Sequence, residues 1–184
     1  HALTVALFAI LRPGDTMLAI SGEPYDTLKS VIGITPNPSS LASFNINYEC
    51  IDLVNDDFDD EKIISKISVQ KYKLIHIQRS RGYSSRKSLT LEKLERIIKK
   101  IREVDKDVII MVDNCYCEMV SDCEPTSIGA DIIIGSLIKN LGGGIAPNGA
   151  YIAGRKDLVN LCAERLTLPG EGREVGPSLG INST

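Results

Sequence analysis

The stretch DIIIGSLIKNLGGGIAPNGAYIAG (residues 131–154) joins an isoleucine run to a single lysine and three glycines. The isoleucines predict a buried strand that ends at Ser136, and GAYIAG (149–154) predicts another strand. Lysine is rarely buried, and glycine weakens regular structure. Lys139 and the glycines at 142–144 therefore indicate a chemical site just beyond the first of these strands.

Further short apolar runs, typical of buried strands, recur along the chain between segments with helical periodicity. The other predicted strands are TMLAI (16–20), FNINYECIDL (44–53), KLIHIQ (73–78) and DVIIMVD (107–113). The clearest helix is predicted over 90–104, where apolar residues recur at helical spacing after Thr90, a suitable N-cap. Strands alternating with helices imply a largely parallel sheet. We therefore predict a three-layer α/β/α fold.

Composition narrows the function classes. The 184 residues are 43% hydrophobic and 24% charged, which suits one globular domain. A net charge of −3 gives no basic surface for nucleic acid, and the apolar runs are too short for a membrane span. An odd cysteine count and the lack of a signal-peptide pattern favour a reducing compartment, so we predict a cytoplasmic protein.

No metal site is predicted. Cys115, Cys117 and Cys123 lack the paired spacing of a structural zinc site, so small buried side chains are the default interpretation. The aspartates at 56–60 precede a helical segment, where negative charge favours a helix N-terminus more than a metal site. His76, inside LIHIQ, is predicted to be a core histidine with its hydrogen bonds satisfied.

Polar side chains follow three predicted strands at the point where each strand ends. They are Gln78–Ser80, Asp113 and Ser136, with Lys139 three residues further on. In parallel α/β sheets, ligands bind beyond the carboxyl ends of the strands. We therefore expect these side chains to converge on one crevice.

A lysine, a carboxylate and phosphate-binding donors are what pyridoxal phosphate requires from a protein. Lys139 can form an imine with the cofactor aldehyde, and Asp113 can keep the pyridinium nitrogen protonated. Ser136 suits the phosphate, and Tyr25, just before a predicted helix, is a candidate to stack on the ring. As a general base Lys139 needs a lowered pKa, which burial and a nearby cationic ring would supply.

Each of these four side chains also has a structural alternative. The alternatives are a surface lysine, a turn carboxylate, a serine bonded to turn backbone and a core aromatic residue. The glycines at 142–144 likewise have two interpretations, a phosphate cradle of N–H groups or a tight turn that lets Lys139 reach the cofactor.

Several motifs resemble the aluminium-resistance, methionine γ-lyase-like proteins, relatives of cystathionine β-lyase among the fold-type I pyridoxal-phosphate enzymes. The motifs are VDNCYCE, GSLIKN, GGGIAP, GAYIAGRKDLV and IQRSRGY, and the resemblance covers essentially the whole chain. The family tends to have glycine where Cys117 stands and often proline where Leu141 stands. These two differences concern local turn geometry.

The resemblance implies roles for individual residues. Lys139 matches the lysine of the internal aldimine, Asp113 the carboxylate on the pyridine nitrogen and Ser136 the phosphate-binding serine. Tyr25 resembles the ring-stacking tyrosine of the wider superfamily. The loop of IQRSRGY that holds Arg79 and Ser80 matches one that approaches the cofactor's phenolic oxygen.

The resemblance also implies the organisation and activity of the protein. Residues 1–184 match the cofactor-binding large domain, and family members add an N-terminal segment and a smaller C-terminal domain. The expected activity is that of a carbon–sulfur lyase on cystathionine, cysteine or methionine, in a homodimer or homotetramer. The alternatives are another pyridoxal-phosphate reaction, such as transamination or racemisation, and a truncated domain without activity.

Overall fold

The computed structural model describes residues 1–172, which form a six-stranded sheet with helices on both faces. The strands are β1 (Thr16–Ala19), β2 (Asn47–Cys50), β3 (Leu74–Gln78), β4 (Ile109–Asp113), β5 (Ile132–Ser136) and β6 (Ala150–Gly154). Their order across the sheet is β2-β1-β3-β4-β5-β6. All neighbours are parallel except β6, which runs antiparallel to β5. The predicted α/β class and the mostly parallel sheet are confirmed.

Residues 1–172 contain five helices. They are α1 (Ala2–Ile10), α2 (Asp26–Ile32), α3 (Asp60–Val69), α4 (Leu91–Val104) and α5 (Lys156–Leu166), with 3₁₀ turns at Ala42–Phe44 and Pro125–Ile128. Of these, α2, α3 and α4 connect strands, whereas α1 precedes β1 and α5 follows β6. The Thr90 side chain accepts a hydrogen bond from the N–H of Lys93, so the predicted cap of α4 is confirmed. The Asp59 side chain caps α3 in the same way, as expected for an acidic helix start.

One predicted strand is shorter than the sequence suggested. Residues 44–53 were expected to be extended, but β2 covers Asn47–Cys50 only. The preceding 3₁₀ turn ends at Phe44, and the next residue, Asn45, has a φ of 57° in the left-handed region, which breaks the extended backbone. The strand therefore begins after this turn.

The core consists of two apolar clusters, one on each face of the sheet. The first packs α1, α2 and α5 against residues such as Met17, Leu74 and Met111. The second packs α3 and α4 against Leu18 and Ile75. Because side chains alternate along a strand, each face receives every second residue. This alternation also decides on which face each polar residue at the strand ends lies.

His76 lies on β3 and is completely buried. Neither of its ring nitrogens has a hydrogen-bond partner among the described residues, so the prediction of a satisfied histidine is wrong. Burial lowers the pKa of His76 to about 4, because the charged ring loses its hydration. The histidine is therefore a neutral core residue at physiological pH.

Two observations on the described part concern metals and membranes. Among residues 1–172, no three histidine, cysteine or acidic side chains are grouped so that they could hold a metal ion. Within the same range, no helix is both long enough and apolar enough to cross a bilayer. Cys117 and Cys162 are buried, whereas Cys123 is exposed.

Candidate active site

A cavity of about 820 Å³ lies beyond the carboxyl ends of β3 and β4. Asp113 and Lys139 both line it, together with Tyr25, Cys115 and Tyr116. The cavity thus brings together a carboxylate, an amine and the aromatic rings of Tyr25, Tyr83 and Tyr116. Of the side chains predicted to converge, Gln78, Ser80, Asp113 and Lys139 line the cavity, whereas Arg79 and Ser136 do not.

Asp113 is the last residue of β4 and only 2% of it is exposed. Its Oδ1 accepts a hydrogen bond of 3.1 Å from the backbone N–H of Cys115. Burial raises the pKa of Asp113, and the hydrogen bond from Cys115 and the charge of Lys139 act in the opposite direction. Because this buried carboxylate faces the cavity, a cationic group bound there would stabilise its charged form.

Lys139 lies on the loop after β5 and is partly buried. Its Nζ lies 4.2 Å from the centroid of the Tyr116 ring. Burial acts to lower the pKa of Lys139, but Cys115, Tyr116 and Asp113 together outweigh burial and raise it. The expected lowering of the Lys139 pKa concerned a lysine beside a cationic cofactor ring and stays a prediction; of its two causes, burial acts here in the expected direction.

Tyr25 precedes α2 and is held in place by β3. Its backbone N–H donates to Oε1 of Gln78 at 3.0 Å, and the backbone N–H of Gln78 donates to the Ser21 hydroxyl at 2.7 Å. Burial raises the pKa of the Tyr25 hydroxyl. Gln78 thereby ties the ends of β1 and β3 together and fixes the start of α2 at the cavity wall.

Ser136 does not line the cavity, although it ends the strand that leads to Lys139. Its hydroxyl oxygen accepts a hydrogen bond from the N–H of Ile138 at 3.2 Å, and its own N–H donates to Oε1 of Glu118 at 3.1 Å. The Ser136 side chain thus bonds to the backbone of its own turn, which is the structural alternative given for this serine. A hydroxyl that accepts one hydrogen bond still has its hydrogen to donate, so the phosphate role stays a prediction.

Arg79 and Ser80 have different positions. Ser80 lines the cavity, as predicted. Arg79 is 3% exposed and does not line it. Its guanidinium donates to Asn114 Oδ1 at 2.9 Å and to the carbonyl oxygens of Cys117 and Leu89, both at 3.2 Å. Arg79 therefore braces the loops on the opposite face of the sheet, and the prediction of a cofactor contact does not fit its position.

The glycines after Lys139 form a tight turn. The N–H of Gly143 donates to the carbonyl oxygen of Lys139 at 3.2 Å. A Cβ on Gly142 would overlap the carbonyl oxygen of Leu137. This close approach of backbone to backbone requires glycine and favours the interpretation of a turn that presents Lys139.

Sequence reasoning expected Gln78 at the crevice but assigned no role there to Cys115 or Tyr116, although both line the cavity. Burial raises the pKa of the Cys115 thiol to about 12, so it is a neutral group at physiological pH. Their place in the sequence could have indicated that Cys115 and Tyr116 lie at the cavity, since they follow Asp113 directly. No residue pattern, however, indicated that the Tyr116 ring faces Lys139.

The fold and the site define a class of protein. A lysine after β5 and a buried carboxylate at the end of β4, both on one cavity of a mostly parallel sheet, are the arrangement of the fold-type I pyridoxal-phosphate enzymes. A family model for methionine gamma-lyase matches residues 1–184. The chain belongs to this family, and the resemblance predicted from the sequence is confirmed.

Relatives and solved structures agree with this assignment. The uncharacterized protein YnbB of Bacillus subtilis is 44% identical over 181 residues, which are 97% of this chain and 43% of YnbB. A carbon-sulfur lyase involved in aluminum resistance from Clostridium novyi is 49% identical with a TM-score of 0.91, over 98% of this chain and 44% of that one. The chain thus spans less than half the length of these relatives.

A more distant structure contains the cofactor. A Campylobacter jejuni protein is 25% identical with a TM-score of 0.59, over 87% of this chain and 35% of that protein, and its structure holds N'-pyridoxyl-lysine-5'-monophosphate. The similarity supports a family of carbon–sulfur lyases that use pyridoxal phosphate.

Proposed function

We propose that this chain is the pyridoxal-phosphate-binding domain of a carbon–sulfur lyase that acts on a sulfur-containing amino acid. The observation that carries the proposal is that Lys139 and Asp113 line the same cavity at the carboxyl end of the sheet. If they had been on opposite faces, one planar ring could not have reached both. The cofactor-binding domain is proposed to comprise residues 1–184.

The residues present fit the cofactor. The buried Asp113 carboxylate suits a cationic ring nitrogen, which would satisfy a charge that is otherwise costly to bury. Tyr25 offers an aromatic surface at the cavity wall, and Ser80 offers a hydroxyl. Lys139 offers the amine for covalent attachment. When bound, pyridoxal phosphate supplies the electron sink that stabilises a carbanion at the substrate α carbon.

Lys139 is proposed to move the protons of the reaction. Its Nζ removes the proton from the substrate α carbon as a general base and then, as a general acid, donates a proton to the departing sulfur. The raised pKa of Lys139 means that its amine is an ammonium at neutral pH before the cofactor arrives. The Asp113 carboxylate is proposed to keep the ring nitrogen of the cofactor protonated.

The choice of a lyase reaction comes from the family. The matching family model is that of methionine gamma-lyase, and the Clostridium novyi relative bears the name of a carbon-sulfur lyase. Such a reaction releases a thiol, ammonia and a keto acid from the substrate. An amino-acid substrate, a homo-oligomeric assembly and a cytoplasmic location remain predictions.

The test is an assay of thiol and keto-acid release from cystathionine, cysteine and methionine. It should compare this chain with the full-length Clostridium novyi relative, each with and without the lysine equivalent to Lys139. The proposal expects release of both products that disappears with Lys139→Ala. Keto acid without thiol would indicate transamination, and inversion of the α carbon would indicate racemisation; either result contradicts the lyase assignment.

A further inference from the structure

Tyr116 occupies a backbone conformation that its residue type rarely adopts. The N–H of Cys117 donates to the carbonyl oxygen of Asn114 at 2.9 Å, which closes a β-turn over residues 114–117. Tyr116 is the third residue of this turn, with φ at 67°. Glycine and asparagine are the residues that favour a positive φ at this position. The chain therefore keeps a strained tyrosine where a glycine would be relaxed.

Burial of the ring does not explain this strain, because Tyr116 is 58% exposed. The ring instead faces Lys139, whose Nζ lies 4.2 Å from its centroid. A cation within about 6 Å of an aromatic centroid is attracted by the negative face of the ring. The strained turn thus directs an aromatic face at the proposed catalytic amine.

The loops that carry this pair are fastened to each other. Glu118 Oε1 accepts a hydrogen bond from the N–H of Ser136 at 3.1 Å. The Glu118 carbonyl oxygen accepts another from Nδ2 of Asn140 at 3.2 Å. Glu118 is two residues after Tyr116, and these two bonds flank Lys139 in sequence. The contact between the ring and the amine is therefore built into the connection between the loops.

We propose that Tyr116 is a positioning residue for Lys139, whose ring face holds the ammonium form of the lysine at the cavity wall. Tyr25, Cys115 and Asp113 are the other titratable groups that face Lys139 in the cavity, and Tyr116 acts with them to set the pH range in which the neutral amine becomes available to react with an aldehyde. The second statement rests on the proposed function, because only there does Lys139 react with the cofactor. The first statement stands on the geometry of the ring and the amine alone.

The first measurement tests the ring and the amine without any cofactor. Acetic anhydride labels neutral amines, and peptide mass spectrometry reports the labelling of Lys139 as a function of pH. The wild-type chain is compared with Tyr116→Leu, which removes the ring, and Tyr116→Phe, which keeps it. We expect the midpoint for Lys139 to fall by about half a pH unit in Tyr116→Leu and by less in Tyr116→Phe, which keeps the ring face and loses only the hydroxyl.

The second measurement connects the ring to cofactor capture. The neutral amine bonds to the aldehyde carbon of pyridoxal phosphate with loss of one water, and cyanoborohydride then reduces the new bond. At a pH below the midpoint, we expect capture by Tyr116→Leu to be about two- to fivefold faster than by the wild type. Tyr116→Phe should capture at a rate closer to that of the wild type than to that of Tyr116→Leu. The unfolding midpoint of each variant in urea serves as the control for folding.

The outcomes separate the two proposals. Equal labelling midpoints in the wild type and Tyr116→Leu would overturn the role of Tyr116, as would a shift in Tyr116→Phe as large as that in Tyr116→Leu. A shifted midpoint without any cofactor capture by the wild-type chain would support the role of Tyr116 and contradict the proposed function instead.

Discussion

Acid should destabilise the chain through His76, the histidine buried in β3. Its ring is fully buried, and its two nitrogens lack hydrogen-bond partners in the described part of the chain. Protonation would place a charge in the core, so the folded state resists it and the pKa of His76 is lowered to about 4. In the unfolded chain the pKa returns to about 6.5.

The sign and size of the effect follow from these two values. Between pH 6.5 and pH 4 the unfolded chain binds a proton at His76 that the folded chain does not bind, so stability falls as the pH falls. Each pKa unit corresponds to about 1.4 kcal/mol, so the total loss is about 3 kcal/mol. The stabilisation by neutral His76 is fully present above pH 7, and its loss levels off below pH 4.

Urea unfolding from pH 7.5 to pH 4, for the wild type and His76→Leu, measures this loss. The acidic residues titrate in both proteins and cancel in the difference, and the other histidine, His1, is exposed. We expect the wild type to lose about 3 kcal/mol more than His76→Leu over this range. Parallel stability curves for the two proteins would refute the reasoning.

Three further predictions concern the site and its supports. Asp113→Asn should weaken pyridoxal-phosphate binding roughly 30-fold, or about 2 kcal/mol, because the ring loses its charged partner. The unfolding free energy of the cofactor-free chain should rise by about 1 kcal/mol, because a buried charge is removed. A less stable variant with normal cofactor binding contradicts both expectations. Arg79→Met should lower the unfolding free energy by about 3 kcal/mol, because it leaves three buried acceptors unpaired. The matched control Arg81→Met, at an exposed position, should lower it by less than about 0.5 kcal/mol, and equal losses in the two variants would disprove the bracing role of Arg79. Gly142→Ala should slow cofactor capture on the order of tenfold, because its added Cβ displaces the Lys139 loop. In the control Gly144→Ala the added Cβ meets open space, so the variant should strain only its own backbone and capture the cofactor at a near-normal rate. Slower capture by Gly144→Ala than by Gly142→Ala would count against the turn interpretation.

Strands and helices could be predicted because their signals are local. The isoleucine runs of β4 and β5 are buried on both faces, which is why they read as continuous apolar segments. The carboxyl ends of parallel strands meet at one edge of a sheet, so Asp113 and Lys139 could be placed together from the sequence.

Alternation along the strands could have corrected the assignment of Arg79. Gln78 and Asp113 are paired in register and lie on the face that carries the cavity, so the next residue of each strand points the other way. Arg79 and Asn114 are these next residues, and they bond to each other. The resemblance placed the whole loop near the cofactor and could not distinguish its two faces.

The contacts of Ser136 and Tyr116 depend on tertiary structure. Ser136 accepts a bond within its own turn, and its N–H reaches Glu118, a residue distant in sequence. Tyr116, whose backbone adopts a positive φ, faces Lys139 on a different loop. Neither contact leaves a periodic or compositional signal in the chain.

The central claim is that the Lys139 amine is the group that bonds to pyridoxal phosphate, opposite the carboxylate of Asp113. Borohydride reduction of the chain mixed with the cofactor, followed by peptide mapping, tests it most directly. We predict one phosphopyridoxyl group, on Lys139, and its loss in Lys139→Ala. A label spread over surface lysines, or a label that persists at wild-type yield in Lys139→Ala, would contradict the account.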